Sequence, residues 1–191
     1  LPQEEPWRLA GEVLNTYIIV EQGDKVLLID KHAAHERMNF DRMKAEGYDP
    51  MSQTLLAPAV CRLSPEEHAA LTARLPLLEE FGFAAEDFGG GSLIVRRAPF
   101  DVDPGDIEAT LTEIARKLLS TGSADPTAAR DELLHTMACK AAIKGGWRSS
   151  PQELERVARA VMSGQVRYCP HGRPVAIELT RGQLEKQFRR A

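Results

Sequence analysis

Four places in the chain set a short polar side chain directly before a proline: Ser64-Pro65, Asp103-Pro104, Asp125-Pro126 and Ser150-Pro151. A hydroxyl or carboxylate at an N-cap accepts from the exposed N–H groups of a first helical turn. Proline suits the next position, where an N–H would have no helical partner anyway. After Ser64 and Ser150 a glutamate follows three residues on, Glu67 and Glu153, in the sequence form of a capping box. Each cap is worth about 1 kcal/mol. The pattern predicts helices over 64–81, 104–121, 126–144 and 151–163, and a last one capped by Thr180 with Gln183 as its box partner.

The remaining apolar residues fall in short runs. Tyr17–Glu21 and Lys25–Ile29, rich in Ile, Val and Leu and joined by Gln22-Gly23-Asp24, read as a β-hairpin. The segment from His32 to Glu46 is rich in helix formers and closes on Gly47, a residue suited to a helix C-terminus. A second hairpin is expected around Gly89-Gly90-Gly91 with Ser92–Ala98 as its return strand, and Val175–Leu179 reads as a further strand. Strands and helices mixed without strict alternation predict an α+β fold. The stretch 53–133, with its own hairpin and helices, reads as a smaller α/β subdomain inserted into a discontinuous one built from 1–52 and 134–191.

With 191 residues and 43% hydrophobic content, the chain can bury one sizeable core or two smaller ones. A formal charge of −4 gives no bulk attraction to nucleic acid or anionic membrane, so any DNA contact must come from a local basic patch and be salt-sensitive. No apolar run reaches the roughly 20 residues that cross a bilayer. The opening residues lack the layout of a signal peptide, and the expectation is a cytosolic, non-membrane protein. Leu1-Pro2 reads as a linker remnant, so the chain reads as a piece of something larger. Three cysteines in a reducing compartment favour ligation or burial over a disulfide framework. Cys61 has no polar neighbour in sequence and reads as core.

Two short segments carry metal-ligand chemistry. In "IDKHAAHERMNFD", His32 and Glu36 stand four apart, on one helix face, while Asp30 at the strand end can hold a carboxylate nearby and His35 points elsewhere. Alone, this spacing suits a solvated helix face better than a ligand pair. In "RYCPHGRP", proline stiffens the Cys169–His171 pair, which can share a tetrahedral zinc or be only a rigid turn. Cys139 lies on a helix with an apolar face formed by Leu133, Leu134, Met137, Ala141 and Ile143, where a lone cysteine is more often core than ligand. Gly89-Gly90-Gly91 lacks the lysine and the strand-to-helix setting of a phosphate loop.

Taken together, "DKHAAHE", "ACK" at 138–140 and "CPHGRP" at 169–174 resemble the C-terminal endonuclease domain of the mismatch-repair protein MutL. The family pattern Asp-Gln-His-Ala-x-x-Glu-x-x-x-x-Glu is matched at Asp30, His32, Ala33 and Glu36; Lys31 replaces the glutamine and Asp41 the last glutamate. The resemblance implies that Asp30, His32, Glu36, Cys139, Cys169 and His171 converge on divalent ions. Zinc would sit on the thiolate and imidazole ligands and manganese would be the nicking cofactor, a split that ligand softness supports. Asp30 and Glu36 would be the catalytic carboxylates of phosphodiester hydrolysis in duplex DNA. Lys31, Arg37 and Arg173 are candidate phosphate contacts, and equally ordinary surface cations.

The resemblance also implies partners. "QTLLAP" fits the Gln-x-x-Leu-x-Pro segment by which the family docks on the replicative β sliding clamp, through Gln53, Leu56 and Pro58. A homodimer is expected through the subdomain built from both chain ends, with "YIIV" and "VAIEL" as a possible isologous face. A MutS-type mismatch recognition protein and an N-terminal ATPase domain of the same full-length chain complete the expected set. Two other function classes compete with the nicking endonuclease: a catalytically silent zinc-binding dimerisation module, and a cysteine hydrolase using Cys169 or Cys139. Pro170 disfavours the last, because it holds Cys169 and His171 in one turn, poor geometry for a nucleophile and its base.

Overall fold

A computed structural model describes residues 5–121, 125–144 and 149–189. Leu1-Pro2 and the side chain of Ile143 lie outside the described residues. The chain divides into two compact units, Leu1–Asn39 with Ala142–Ala191, and Phe40–Ala141. The boundaries expected at 52/53 and 133/134 therefore fall at 39/40 and 141/142, and the inserted unit is the longer of the two. Helix α1 (Lys31–Glu46) and helix α5 (Pro126–Lys144) each cross a boundary, which a helix start or end in sequence could not reveal. Among the described residues no helix is long and apolar enough to cross a membrane.

The unit made by both chain ends is a four-stranded antiparallel sheet in the order β1-β2-β3-β7: β1 (Trp7–Val13), β2 (Tyr17–Gln22), β3 (Lys25–Asp30) and β7 (Ala176–Thr180). Helix α6 (Pro151–Met162) packs on β1 and β2. One face of the sheet supplies Ile18, Val20, Leu27 and Ile29 to a core completed by Val157, Ala158 and Val175. Alternation along β2 and β3 sends every second residue there, so Tyr17, Ile19, Val26 and Leu28 take the other face.

β1 has no counterpart in the sequence reading, and its register explains why. Leu9 pairs with Val20 but Gly11 pairs with Ile19, so Ala10 is the extra residue of a β-bulge. The bulge reverses the inside-outside phase halfway along the strand, and the period-2 signal is lost. After it, Glu12 stands opposite the fully buried Ile18 and faces inward.

The inserted unit holds a three-stranded antiparallel sheet in the order β4-β6-β5: β4 (Ser52–Arg62), β5 (Ala84–Gly89) and β6 (Ser92–Pro99). Around it lie α2 (Pro65–Thr72), α3 (Leu75–Glu80), α4 (Ile107–Ser120), α5 and the end of α1. Phe81, Phe83, Leu93, Leu111, Ile114, Leu133 and Met137 centre its core. Cys61 belongs to that core, and burial pushes its thiol up to about 11.

The caps at Ser64 and Thr180 form complete boxes, Ser64 with Glu67 and Thr180 with Gln183. Ser150 accepts from Glu153 N, but Glu153 does not close its box. The helix expected over 64–81 is two, because Pro76 near the start of α3 cannot extend the preceding turn. Asp103 makes no side-chain cap, and the 104–121 helix opens as a 3-10 turn, Pro104–Asp106. β4, unforeseen as a strand, pairs with β6 at Ser52–Thr54 and at Ala59–Arg62, while Leu55–Pro58 leave the register. Proline has no N–H for a ladder, which suits its place in an irregular stretch of an edge strand.

Candidate metal centre

α1 begins where β3 ends, with Asp30 the last strand residue and Lys31 the first helical one. The N–H of Asp30 donates to Val175 O at 2.8 Å and that of Lys31 to Thr16 O at 2.9 Å, so two neighbouring segments pin the junction. Asp30 also caps the helix: its Oδ1 accepts from Ala33 N at 3.0 Å. One carboxylate oxygen is thereby fixed, and the side chain is oriented at the mouth of the first turn.

The next turn of α1 carries the two residues whose spacing suggested a common ligand. His32 and Glu36 offer ligand atoms within 4.8 Å of each other. Glu36 is only 6% exposed, and its Oε1 lies 3.3 Å from Nδ1 of His171. Despite that distance the angles are not those of a hydrogen bond, and Oε1 is buried with no hydrogen-bond partner.

His171 reaches Glu36 because its segment is a tight hairpin. Val175 N donates to Arg167 O at 3.1 Å, Cys169 N to Arg173 O at 2.8 Å and Gly172 N to Cys169 O at 2.9 Å, with a bridge between Tyr168 and Pro174. Gly172 holds φ at +79°, a conformation in which any other residue would be strained. Cys169 is buried on this turn while His171 and Arg173 are exposed. A buried thiol held beside its histidine by Pro170 gives no support to a cysteine nucleophile.

His35 points away from this cluster, as the helical phase required. It is buried, its Nε2 lies 3.4 Å from Glu153 Oε1 on α6, and burial holds its imidazole below the ordinary value while Glu153 opposes the shift. Glu153 is thus turned to His35 rather than to its own helix cap.

Lys31 departs from the expected phosphate contact. It is 3% exposed, and its Nζ donates to Glu12 Oε1 at 2.5 Å, so the ammonium lies under the sheet and not on the surface. No sequence spacing reveals Glu12, which faces inward only because of the bulge at Ala10. Arg37 is half-buried and Arg173 exposed.

The other candidates belong to the inserted unit. Cys139 is half-buried on α5, and Asp41 half-buried on α1. Of the docking segment, Leu56 is fully exposed at the irregular part of β4, whereas the Gln53 amide donates to Val102 O at 3.0 Å.

A buried carboxylate oxygen without a hydrogen-bond donor is costly, several kcal/mol for a charged group, unless a cation compensates it. Here that oxygen stands beside one imidazole and on the same helix face as another. Imidazole nitrogen and carboxylate oxygen together make a donor set that accepts zinc or manganese, so the residues present fit a divalent ion.

The family model described as "MutL C terminal dimerisation domain" matches residues 10–149. Proteins named DNA mismatch repair protein MutL are similar over nearly the whole chain. That of Caldanaerobacter subterraneus subsp. tengcongensis is 33% identical over 96% of this chain and 31% of its own length. That of Syntrophobacter fumaroxidans is 36% identical over 94% and 27%. That of Acidiphilium cryptum is 37% identical over 100% and 34%. The chain spans about a third of the length of the curated relatives it matches.

Proposed function

From a chain that belongs to the MutL C-terminal dimerisation domain family, we propose a divalent-metal-dependent endonuclease that nicks one strand of duplex DNA in mismatch repair and pairs with a second copy of itself. The observation that carries the metal part is the buried, unpartnered Oε1 of Glu36 facing His171. His32, Glu36 and His171 would hold the ion, with Asp30 at the helix mouth and the Cys169 thiolate as a further ligand. Zinc suits the sulfur and imidazole side and manganese the carboxylate side. When bound, such an ion polarises a phosphoryl oxygen, lowers the pKa of its water and orders the in-line geometry.

The chain's own residues prepare that chemistry. Asp30 is held by its cap to Ala33, so its carboxylate does not wander. The Gly172 turn presents His171 to Glu36, and Arg173 on the same turn offers a guanidinium to a phosphate. A silent zinc-binding dimerisation module is the second reading. It is favoured by the helix cap, which accounts for Asp30 without any ion.

The two separate in one experiment, metal analysis of the purified chain coupled to nicking of supercoiled plasmid with and without manganese. Bound zinc together with manganese-dependent nicking, lost in chelator, is the expected result. Zinc without nicking leaves the silent module, and no bound metal at all sinks the centre.

For dimerisation, the sheet face opposite the core offers Tyr17, Ile19, Val26 and Leu28, continued on β7 by Ile177, which pairs with Leu28 and is 58% exposed. An apolar face of this kind suits an isologous contact. Ile177→Asp places a charge in its middle, and light scattering is expected to show a monomer where the parent is a dimer. An unchanged dimer would move the interface elsewhere. The β sliding clamp, a MutS-type protein and an N-terminal ATPase of the same full-length chain are the further partners. Leu56 is the anchor for the clamp, since Gln53 is engaged with its own unit's backbone.

A further inference from the structure

The inserted unit carries a cleft of its own, about 420 Å³, where the chain leaves α1 and enters β4. Three local features shape it. Gly47, with φ at +84°, ends α1 and turns the chain out of the helix. Gly82 lets Pro50 come close, since a side chain there would strike the proline ring and Ser52 Oγ. Phe100 N donates to Met51 O at 2.7 Å, one step beyond the Ser52–Pro99 pair that opens the β4–β6 ladder. The cleft thus stands on braced backbone, lined by two exposed apolar side chains, Met51 at 76% and Phe100 at 54%.

Its charge is one-sided. Glu46, Asp49 and Asp101 line it against a single cation, Arg42, and none of these four has an ion-pair partner among the described residues. The last carbonyls of the 16-residue α1 add the negative end of a helix dipole. In the wall, the Tyr48 ring packs on Phe81 with centroids 5.1 Å apart, and its hydroxyl is buried without a hydrogen-bond partner. Burial, and after it the Asp101 charge, pushes that hydroxyl up, so it stays neutral and the negative charge is that of the carboxylates. Three carboxylates around an aromatic ring and a thioether suit a flat cation on an apolar stem better than a bare metal ion, which has no use for the ring. A guanidinium is such a group: planar, always charged, weakly hydrated, and able to lie on an aromatic face while its five N–H donors reach carboxylates.

We propose that this cleft docks an arginine side chain of a partner protein, carried on a short segment whose neighbouring apolar residues cover Met51 and Phe100. The volume has room for one long side chain and part of its neighbours. Arginine, methionine and aromatic rings are also the groups that protein interfaces favour at their centres. Every residue of the site belongs to the inserted unit, so the proposal stands or falls independently of the metal and nicking reading.

The test is a heteronuclear NMR titration of the chain, in chelator, with three acetylated and amidated tripeptides: Leu-Arg-Leu, Leu-Lys-Leu and Leu-Gln-Leu. The arginine peptide is expected to shift the amide signals of residues 46–51 and 100–101 along saturating curves. The lysine peptide binds about three-fold more weakly and the glutamine peptide about ten-fold or more. Asp49→Asn and Phe100→Ala each weaken the arginine peptide about three-fold, and Asp49→Asn combined with Asp101→Asn about ten-fold. Signals outside the cleft stay where they are in each variant, which shows that it folds. The inference is overturned if the arginine peptide gives no saturable binding, if the glutamine peptide binds as well, or if the saturating shifts fall outside the cleft. It is likewise overturned if the double variant binds as the parent does, or if that variant loses dimer mass in light scattering, which makes a second copy of the chain the occupant.

Discussion

Asp30→Asn is expected to lower manganese-dependent nicking about a hundred-fold or more, while urea unfolding places the variant within about 0.5 kcal/mol of the parent. The two halves follow from the two jobs of one side chain. Asparagine caps a helix about as well as aspartate, so the bond from Ala33 N to the side-chain oxygen survives the change and α1 starts as before. What is lost is the negative charge at the helix mouth, and with it several kcal/mol of attraction to a divalent ion. Asp30→Ala removes the cap as well and is expected to cost about 1 kcal/mol of stability. An Asp30→Asn protein that nicks as fast as the parent would reduce Asp30 to a helix cap and remove it from the catalytic carboxylates.

Glu12→Ala is expected to destabilise the fold by about 3 kcal/mol, one of the larger single-residue effects in the unit built from both chain ends. Lys31 is 3% exposed and Glu12 Oε1 is its carboxylate partner at 2.5 Å, so removing the acid leaves an ammonium stranded in the interior. Replacing both members by apolar residues of similar size, Glu12→Leu with Lys31→Met, leaves no stranded charge and is expected to bring stability back to within about 1 kcal/mol of the parent. Urea midpoints of the single and double variants give the coupling directly. If Glu12→Ala unfolds at the parent's midpoint, the buried pair contributes nothing to stability.

The legibility of this chain differs sharply from element to element. Ser64, Ser150 and Thr180 announced their helices because a cap is a local bargain between one side chain and the next turn, complete within four residues. The β2–β3 hairpin was equally local, with its turn at Gly23. β1 was missed because a one-residue bulge inverts its alternation, and β4 because Pro58 and its neighbours leave the ladder in mid-strand. The break between α2 and α3 was written in the sequence at Pro76, but the capped start at Ser64 outweighed it.

In the candidate centre, the spacing of His32 and Glu36 and the tight Cys169–His171 turn follow from the residues themselves, since helical period and proline geometry act over a few positions. The chain order alone could also say that Asp30 sits at a strand end. Only the folded chain brings the Gly172 turn to Glu36, leaves that carboxylate oxygen buried without a donor, and hides Lys31 against Glu12. Those outcomes depend on sheet register and on which atoms lose their water, quantities set by residues far apart in the chain, and no local pattern encodes them.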